Sequence, residues 1–361
     1  MSSQMHEHLM DRALELARRA PFTSPNPKVG CVLARDHEII AEGYHRGAGL
    51  AHAEREALSI ADSTAGATAY VTLEPCTHQG RTPPCARALV TAGISRAVIA
   101  TLDPDERVAG GGARLLSEAG AEVLIGVRER EARALNAPYI HHRLTGRSYV
   151  SLKLAFSLDG RLAAADGTAR WISGPDARRE THRRRHGADA VVVGSGTAVA
   201  DDPSLTVRDV EAVRQPARVL IDASGRTPPT ARLFAGGEVI VATTNHVPHE
   251  AQTAWKEAGA EVLQLPGGPA GVDLDALIVA LGRRGWLELY FEGGARLATS
   301  LLRADLVNRL DLHVGAVLLG RGGPDLGDLG VPTIAEAGRW RLLGSESAGD
   351  DVLLSYERDA G

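Results

Sequence analysis

Apolar residues in the first part of the chain recur at the intervals typical of an amphipathic helix. Between residues 4 and 20, Leu9, Ala13, Leu16 and Ala20 follow one another at steps of three or four. This spacing places them on one face of a helix, which would pack against the rest of the domain. The sequence therefore predicts a helix over residues 4–20.

The next apolar runs, at residues 29–34 and 39–43, flank Asp36-His37 and predict a hairpin. Beyond the hairpin, helical and strand-like segments alternate. The predicted helices are 52–62, 84–92, 113–119 and 129–142, and the predicted strands are 69–73, 97–101 and 122–126. Strand–helix–strand units predict a sheet that is at least partly parallel and covered by helices.

The alternation begins again after Thr145-Gly146-Arg147, a short polar segment that we interpret as a linker. The segments predicted beyond it are strands at 149–155, 190–193, 218–222, 238–242, 287–292 and 309–317, helices at 175–186, 249–258, 274–281 and 296–302, and a hairpin around 348–350. A chain of 361 residues agrees with two domains. We therefore expect an α/β protein with domains at residues 1–146 and 147–361.

Composition narrows the class of protein. Hydrophobic residues make up 44% of the chain and charged residues 24%, as in soluble globular proteins, and the net charge of −5 argues against a nucleic-acid surface. No apolar run approaches the roughly 20 residues that cross a bilayer, and the first residues lack the layout of a signal peptide. Three cysteines are too few for a disulfide framework. We expect a cytoplasmic enzyme with neither nucleic acid nor a membrane as partner.

One histidine and two cysteines form the most informative pattern in the chain. His52 precedes Ala53-Glu54, and Cys76 and Cys85 each follow a proline. One imidazole and two thiolates hold zinc at catalytic sites, where the fourth position stays open for water. Zinc lowers the pKa of that water from about 16 to about 7, and Glu54 is placed to move the proton. The pattern is typical of zinc deaminases that act on nucleobases.

The spacing of the cysteines refines this interpretation. Base and nucleoside deaminases usually carry Pro-Cys-x-x-Cys, whereas eight residues separate Cys76 from Cys85. The helix predicted from Pro84 places Cys85 in the first turn, where the helix dipole favours a thiolate. Cys31 lies in an apolar run and is interpreted as a buried strand residue. The alternative is that the three proposed ligands are a core cysteine pair and an unrelated surface histidine.

Two glycine-containing turns in the second part suit a phosphate. Gly293-Gly294 lies between a predicted strand and a helix, and Gly194-Ser195-Gly196-Thr197 follows the strand at 190–193. The N–H groups at the start of a helix bind anions. Neither turn has the Gly-x-Gly-x-x-Gly fingerprint of dinucleotide sites at the right place, so ordinary tight turns remain the alternative.

Several longer motifs carry a resemblance to a known family. In the first part they are Pro25-Asn26-Pro27-Lys28-Val29-Gly30, Gly43-Tyr44-His45, His52-Ala53-Glu54 and the stretch from Thr72 to Cys85. In the second part they are Leu152-Lys153, Ser157-Leu158-Asp159-Gly160, Trp171-Ile172-Ser173, the stretch from Asp201 to Arg208, and Glu292-Gly293-Gly294. With these motifs the chain resembles, over nearly its whole length, the RibD family of bifunctional riboflavin-biosynthesis proteins.

The resemblance implies a cytidine-deaminase-like N-terminal domain followed by a dihydrofolate-reductase-like C-terminal domain. It implies that the first domain uses Zn²⁺ to remove the 2-amino group of a diaminopyrimidinone that carries a ribosylamino 5′-phosphate. It implies that the second domain uses NADPH to reduce the ribose to a ribityl chain, with the protein supplying position and charge. The expected partner is therefore a small phosphorylated pyrimidine.

Other residues of the first domain are candidates for contacts with this substrate. Asn26 and His45 lie on loops where they would bind the ring or the sugar. The alternatives are an asparagine that stabilises a turn and a surface histidine. His78 and Arg81, between the cysteines, would meet the phosphate, unless they belong to a solvated loop.

For the second domain the resemblance implies one set of residues around NADPH and another around the substrate. The NADPH set is Ala155, Trp171, Thr197, Asp201, Gly294, Ala295, Arg296, Leu297, Ala298, Thr299 and Ser300. The substrate set is Arg185, Leu205, Arg208, Glu292, Lys153 and Asp159. Arginines suit a phosphate because their planar fork binds two oxygens at once. The alternatives are a core aromatic for Trp171 and a solvated helix face for Arg183-Arg184-Arg185.

Two positions depart from the family pattern. Ala169 stands where relatives often have a serine two residues before the tryptophan, and Ala223 stands where a serine is expected after the strand at 218–222.

Two other functions stay open. One is a deaminase of nucleosides or tRNA, against which the cysteine spacing and the acidic charge count, and the other is a second domain that only binds ligand or assembles subunits. Because small domains bury limited surface, we also expect a homo-oligomer.

Overall fold

The computed structural model describes residues 3–77, 84–105, 109–269 and 271–358. The chain divides into two compact units, Met1–Gly146 and Arg147–Gly361. In the first unit the helices are α1 (Ser3–Arg18), α2 (Ala53–Ile60), α3 (Cys85–Thr91), α4 (Gly111–Glu118), α5 (Glu129–Leu135) and α6 (Ala137–Thr145). Its strands are β1 (Gly30–Arg35), β2 (Glu38–Tyr44), β3 (Thr68–Val71), β4 (Arg96–Ile99) and β5 (Glu122–Ile125).

These strands form a five-stranded sheet in the order β2-β1-β3-β4-β5. β1 pairs antiparallel with β2 and β3, whereas β3, β4 and β5 are parallel. Alternate side chains of a strand face opposite sides of the sheet. Cys31 and Leu33 pack with residues of α2, α3 and α4, while Val32 packs with residues of α1 and α5. Helices therefore cover both faces, as the alternation of segments predicts.

One predicted helix is wrong. The segment expected to be a single helix at 129–142 forms α5 and α6, which meet at Asn136. The Asn136 side chain accepts a hydrogen bond from the Lys28 N–H and donates one to the Lys28 carbonyl, both at 2.8 Å. Pro138 lies in the first turn of α6, where a missing N–H is tolerated. The break therefore depends on a long-range contact as well as on a local proline.

The second unit contains nine strands and five α-helices within the described ranges. Its helices are α7 (Pro175–Gly187), α8 (Ser195–Asp201), α9 (His249–Glu257), α10 (Leu274–Gly282) and α11 (Ala295–Arg303). Its strands are β6 (Tyr149–Ser157), β7 (Ala190–Gly194), β8 (Ala217–Ile221), β9 (Val239–Thr243), β10 (Glu261–Gln264), β11 (Glu288–Glu292), β12 (Arg309–Gly315), β13 (Trp340–Ala348) and β14 (Asp351–Arg358).

The nine strands form one sheet in the order β10-β9-β8-β7-β11-β6-β12-β14-β13. The strands from β10 to β12 are parallel, and the β13–β14 hairpin extends the sheet antiparallel. Leu277 of α10 and Leu301 of α11 pack on one face, and Trp255 of α9 packs on the other. β10 has no counterpart in the prediction, since only four partly exposed residues form it.

Parallel strands bring their carboxyl ends to the same edge of a sheet. β7 and β11 are neighbours, so the turns that follow them, at Gly194 and Gly293, lie side by side at this edge. None of the helices in the described ranges combines the length and the apolar character that crossing a lipid bilayer requires.

Candidate active sites

A cluster of metal-binding atoms lies beyond the carboxyl end of β3. His52 caps the start of α2, Cys85 is the first residue of α3, and Cys76 lies in the loop after β3. His52 Nδ1 is 3.3 Å from Cys85 Sγ and 3.7 Å from Cys76 Sγ. All three atoms lie within 4.8 Å of one another. The structure therefore brings together the three residues that the sequence pattern assigns to zinc.

The protonation states of these three side chains depend on one another. Hydrogen bonds from the Cys85 side chain and from His52 stabilise the Cys76 thiolate and lower its pKa. The pKa of Cys85 is raised because its hydrogen bond to Cys76 and its burial both favour the thiol. The hydrogen bond to Cys76 raises the pKa of His52. Within the described ranges no fourth side chain joins the cluster. One nitrogen and two sulfur donors with an open position fit a catalytic zinc ion.

Glu54 lies in the first turn of α2 and is 3% exposed. Burial raises the pKa of its carboxyl group. Glu54 borders the same cavity as His52 and Cys76. A buried carboxyl group in this position can take up a proton and release it again, as general acid–base catalysis requires.

A cavity of about 370 Å³ opens beside the cluster. This volume is in the range of small-molecule sites. Val29, Leu50 and Leu73 contribute apolar surface to it. The polar side chains that line it, apart from those near the cluster, are Asn26, His45, Glu74, Asp103, Asp105, Tyr139 and Arg143.

Asn26 and His45 hold each other at the wall of this cavity. Asn26 Nδ2 donates to His45 Nε2 at 3.0 Å, and His45 Nδ1 donates to the Ala51 carbonyl at 2.9 Å. His45 is 3% exposed, so the alternative of a surface histidine is wrong. Burial lowers the pKa of His45. Its ring packs edge-on against that of His52, with centroids 5.4 Å apart, so the pair is held beside the metal-binding cluster.

The sequence analysis missed the opposite wall of the cavity. Glu74, which is 4% exposed, accepts hydrogen bonds from four backbone N–H groups of the segment 103–113 at 2.8–3.2 Å. Asp103 accepts a hydrogen bond from the Tyr139 hydroxyl at 3.2 Å, and Arg143 stacks on the Tyr139 ring at 4.9 Å. The one signal for this wall is that Asp103 follows β4, whose end adjoins that of β3.

Two other predictions about this unit have different outcomes. His78 and Arg81 lie outside the described residues, so their contact with a phosphate stays a prediction. Cys31 is a fully buried residue of β1, and burial raises the pKa of its thiol. Its interpretation as a buried strand residue is confirmed.

The second candidate site lies near the carboxyl end of β11. Arg185 of α7 forms a two-pronged ion pair with Glu292, with N–O distances of 2.5 and 2.8 Å. Arg185 also donates to the Thr206 carbonyl at 2.9 Å. Lys153 of β6 lies beside Glu292 in the sheet register. Arg185 is 8% exposed, whereas the Arg183 side chain is 60% exposed, so the solvated-face alternative holds for Arg183 and is wrong for Arg185.

The charges in this group depend on one another. Burial by itself would raise the pKa of Glu292, but the charge and hydrogen bonds of Arg185, together with the Lys153 charge, outweigh it and the pKa is lowered. Burial lowers the pKa of Lys153, and the Glu292 carboxylate partly opposes that shift. Two basic side chains and one carboxylate are thus brought together at the end of β11, and basic side chains of this kind bind anionic ligands.

The loop after α8 carries two of the predicted substrate residues. The Leu205 side chain is buried in the apolar cluster around Trp255, and its φ of 55° is in the left-handed region. Arg208 is exposed and donates to Ser204 Oγ at 3.0 Å. Since Arg185 holds the Thr206 carbonyl, the loop is tied to the ion pair with Glu292.

The two glycine-containing turns meet as the fold requires. Thr197 Oγ1 accepts a hydrogen bond from the Gly294 N–H at 3.2 Å. Among the described residues no side chain caps α11, which leaves the first N–H groups of the helix to an anion. Ala295, Arg296 and Leu297 form this first turn. The pair of turns therefore presents backbone N–H groups that suit an anion.

Trp171 is placed differently from a core aromatic. Its side chain is 62% exposed, and the guanidinium groups of Arg170 and Arg178 lie 5.7 and 4.4 Å from its ring centroid. Arg170 also pairs with Asp201 at 3.5 Å. The core-aromatic alternative is therefore wrong, and Arg170 links the predicted cofactor residues Trp171 and Asp201.

The remaining predicted residues have mixed surroundings. Ala155 lies on β6, two residues beyond Lys153 on the same face. The Asp159 carboxylate accepts hydrogen bonds from the N–H groups of Leu319 and Gly320, so it holds a neighbouring loop. On α11, Ala298 packs in the core, and the hydroxyls of Thr299 and Ser300 bond to carbonyls of their own helix.

The two departures from the family pattern lie in turns. The carbonyl of Ala169 accepts a hydrogen bond from the Ile172 N–H, and its side chain is exposed. Ala223 follows β8, directly after the buried Asp222. Neither methyl group offers the hydrogen bond that a serine hydroxyl would contribute at its position.

Two family models match the chain, one in each unit. Residues 3–101 match the cytidine and deoxycytidylate deaminase zinc-binding region, and residues 148–354 match the RibD C-terminal domain. The riboflavin biosynthesis protein RibD of Escherichia coli is 41% identical over 96% of this chain and 98% of its own length.

Solved structures agree with these matches over 99% of both chains. The RibD of Acinetobacter baumannii is 36% identical with a TM-score of 0.88. The diaminohydroxyphosphoribosylaminopyrimidine deaminase/5-amino-6-(5-phosphoribosylamino)uracil reductase of Thermotoga maritima is 31% identical with a TM-score of 0.85. The predicted fold class, a cytidine-deaminase-like domain followed by a dihydrofolate-reductase-like domain, is confirmed. The chain belongs to the RibD family of riboflavin-biosynthesis proteins, which joins a deaminase to a reductase.

Proposed function

We propose that this chain catalyses two consecutive steps of riboflavin biosynthesis. The first is the hydrolytic deamination of 2,5-diamino-6-(5-phosphoribosylamino)pyrimidin-4(3H)-one. The second is the NADPH-dependent reduction of the ribosyl side chain to give 5-amino-6-(5-phosphoribitylamino)uracil. The observation that carries the proposal is that each unit, residues 1–146 and 147–361, holds its own polar site, and the two sites differ in chemistry.

In the first unit, His52 Nδ1 and the sulfur atoms of Cys76 and Cys85 would hold the zinc ion. Zinc supplies a Lewis acid that lowers the pKa of a water molecule and so makes a nucleophile available at neutral pH. Glu54 takes up the proton of the water and passes it to the departing amino group, so that ammonia leaves without a build-up of negative charge. Burial of Glu54 keeps bulk water from competing for this proton.

The cavity beside Glu54 would take the pyrimidine ring and its sugar. Asn26 keeps one amide hydrogen and its carbonyl oxygen for the substrate, since a single Nδ2–H bond holds His45. His45, locked by Asn26 and by the Ala51 carbonyl, would give the ring an ordered wall. His78 and Arg81 remain the proposed contacts of the phosphate in this unit.

In the second unit, the turns that meet at Thr197 and Gly294 would hold the cofactor phosphates. Trp171, Ala155 and Asp201 would complete the cofactor site, with the backbone of residues 295–300 beside them. NADPH supplies the hydride that reduces C1 of the sugar. The chain contributes the position of the two reactants and the charges around them.

The substrate of the second reaction would lie over the buried charges at the end of β11. Arg208 suits its phosphate, because an exposed guanidinium group binds two oxygens at once, and Arg185 would add its remaining N–H groups and its charge. Lys153 and Glu292, adjacent in the sheet register, would face the sugar. The loop at Leu205 and the carboxylate of Asp159 would shape the rim of the site.

A single substitution tests whether the two sites are separate. Glu54→Gln keeps the size of the side chain and removes its ability to accept the proton, so ammonia release should fall by about 10²- to 10⁴-fold. Zinc content should stay at the wild-type level. Consumption of NADPH should also be unchanged when the deaminated substrate is supplied. Loss of both activities in a folded variant would contradict two independent sites.

Glu56→Gln is the matched control for this experiment. Glu56 lies on the same helix but bonds to the Tyr44 N–H and to Arg46, outside the cavity. This variant should release ammonia at the wild-type rate. If it lost activity as Glu54→Gln does, the effect would come from the helix and not from the carboxyl group in the cavity.

A deaminase of nucleosides or tRNA with a non-catalytic second domain is the alternative. The spacing of eight residues between the cysteines and the net charge of −5 count against it. Formation of inosine on tRNA by the purified protein would favour it. If NADPH neither shifted the thermal unfolding nor was consumed with any pyrimidine substrate, the non-catalytic second domain would gain support.

We also propose that the protein forms a homo-oligomer and that it works in a reducing compartment such as the cytoplasm. β13 forms an outer edge of the nine-stranded sheet, and large apolar side chains at Leu318, Ile334 and Leu342 are 74%, 79% and 51% exposed. An open strand edge with exposed apolar residues favours self-association. The thiols of the metal-binding cluster require reducing conditions. Light scattering after size-exclusion chromatography would give the mass of the particle. A monomer at micromolar concentration would contradict the proposed homo-oligomer.

A further inference from the structure

A rigid turn follows β8 at the carboxyl edge of the second sheet. Asp222 is fully buried and accepts five hydrogen bonds at 2.7–3.0 Å from residues 224–227. Three come from backbone N–H groups and two from the hydroxyls of Ser224 and Thr227. Gly225, with a φ of 72°, allows the chain to turn back. Ser224 and Arg226 are the exposed residues of this turn, and because Asp222 holds the Ser224 hydroxyl, Arg226 is the one whose side chain extends from it.

Arg226 reaches from this turn to the one that follows β7. Its Nε donates to Ser195 Oγ at 3.1 Å. A Cβ placed on Gly196 would lie 3.3 Å from an Arg226 guanidinium nitrogen, so the guanidinium lies against this turn. The next residue, Thr197, accepts the hydrogen bond from Gly294. The arginine is therefore one step along the sheet edge from the proposed cofactor turns.

The charge of Arg226 is not neutralised by a neighbouring acid. Within the described residues, Ser195 is its one hydrogen-bonding partner and no carboxylate pairs with it. By contrast, Arg170 and Arg185 are paired with Asp201 and Glu292. An exposed guanidinium with free N–H groups, next to a serine hydroxyl, is suited to a phosphate.

The order of the strands gives the direction in which a cofactor would lie. Lys153 and Glu292, on β6 and β11, mark the substrate end, and the turns after β11 and β7 suit the two central phosphates. The adenosine half then falls between β7 and β8. Three strand spacings separate β6 from β8, roughly 14 Å at about 4.8 Å each, a distance that an extended dinucleotide spans.

We infer that Arg226, together with the hydroxyl of Ser195, binds the 2′-phosphate on the adenosine ribose and so selects NADPH over NADH. The inference rests on the proposed reductase function and adds the residues that recognise the cofactor's third phosphate. Arg226 acts on binding alone and takes no part in hydride transfer.

Calorimetric titration of the zinc-loaded, full-length protein with NADP⁺ and NAD⁺ tests the inference without turnover. The wild type should bind NADP⁺ more tightly than NAD⁺. Arg226→Gln should weaken NADP⁺ binding by about 10- to 100-fold and leave NAD⁺ binding unchanged, because it removes charge-assisted hydrogen bonds to one phosphate. Arg226→Lys should retain part of the preference, since it keeps the charge but not the fork.

Arg283→Gln is the control, since Arg283 is an exposed arginine that follows α10 and precedes the amino end of β11. It should keep the wild-type preference, and all variants should unfold at the same temperature. If Arg226→Gln kept the wild-type ratio of affinities, the inference would be overturned while the proposed function stood. If the wild type bound neither nucleotide, the proposed reductase function itself would fail, and the inference with it.

Discussion

The two units assemble their sites in different ways. In the first unit, His52, Glu54 and Cys85 come from the first turns of α2 and α3, and Cys76 comes from one short loop. In the second unit, Lys153, Arg185 and Glu292 come from three elements that are distant in the sequence. A site made of metal ligands is defined by residue type and order. A site made of ordinary charged residues is defined by the sheet that brings them together.

The energetic consequences differ as well. The metal-binding cluster holds two thiols and an imidazole that gain their full function only with a cation. The pair of Arg185 and Glu292 is complete by itself, and each partner is needed because the other is buried. Loss of one metal ligand should therefore slow the reaction of the first unit before it lowers the stability of that unit. Loss of Arg185 or Glu292 should lower both the activity and the stability of the second unit. The predictions below test this contrast.

The largest effect is expected at the metal-binding cluster. Cys85→Ala removes one of three ligands, so the protein should lose zinc and deaminate about a thousandfold more slowly or worse, since several kcal/mol of stabilisation are lost. Reduction of the deaminated substrate should not change. Zinc analysis by mass spectrometry and ammonia release measure the two effects. Cys31→Ala is the matched control, because Cys31 is buried in β1 outside the cluster, and it should keep the metal.

Breaking the buried ion pair of the second unit should cost stability. Arg185→Met leaves Glu292 buried without its strongest partner, which should lower the free energy of unfolding of this unit by about 3–5 kcal/mol. Arg185→Lys should lose less, since a cation remains. Urea unfolding followed by tryptophan fluorescence reports on this unit, because all four tryptophans of the chain lie in it. Deamination by the same variants serves as an internal control. Equal midpoints for wild type and Arg185→Met would remove the contrast between the two sites.

Substitution of Glu74 should lower the stability of the first unit without removing the zinc ion. Glu74→Gln weakens the hydrogen bonds to the segment 103–113, so the first unit should lose about 2–3 kcal/mol of stability while zinc stays bound. Gly112 is packed closely against the loop that carries Cys76, since a Cβ on Gly112 would lie 2.1 Å from the Pro75 carbonyl oxygen. Glu122→Gln, which breaks an exposed ion pair with Arg96, should cost less than about 1 kcal/mol. Thermal unfolding compares the two, and an equal loss would show that the buried carboxylate has no special role.

The smallest effect concerns the turn that presents Arg226. Burial would raise the pKa of Asp222, but hydrogen bonds from Thr227 and Ser224 outweigh it and the pKa is lowered. The hydrogen bonds of the Asp222 carboxylate should therefore contribute their full stability above the pKa of an unfolded aspartate, about 3.9. This contribution should be lost as the pH falls through the lower pKa that Asp222 has in the folded protein. At pH 7, Asp222→Asn should be about 1–2 kcal/mol less stable than wild type. The gap should narrow below pH 4, and a gap that stays constant down to pH 3 would contradict the assignment.

Much of the fold could be predicted because its elements are local. The alternation of apolar runs predicts most helices and strands of both units, although not the short helix α8, and the break at Asn136 depends on Lys28, which is 108 residues away. β10 is too short and too exposed for a period to appear. Sequence periodicity records local amphipathicity, and long-range contacts leave no trace in it.

Prediction of the site residues from the sequence is limited in the same way. His52, Cys76 and Cys85 are recognisable because few other functions require these residue types in this order. Glu74 was missed because its partners are backbone N–H groups, which every residue possesses. The sequence could not decide whether Trp171 is a core aromatic and Arg185 part of a solvated helix face, or whether both belong to a site. The structure decides this, because exposure and ion pairing depend on neighbours in space.

The central claim is that one chain carries two sites that act in succession. The most direct test is to incubate the zinc-loaded protein with the phosphorylated diaminopyrimidinone and NADPH, and to follow ammonia release and NADPH absorbance together. The account predicts that ammonia appears first and that NADPH is consumed after a lag, in equal final amounts. Ammonia without any loss of NADPH would contradict the second site, and loss of NADPH without ammonia would contradict the order of the two reactions.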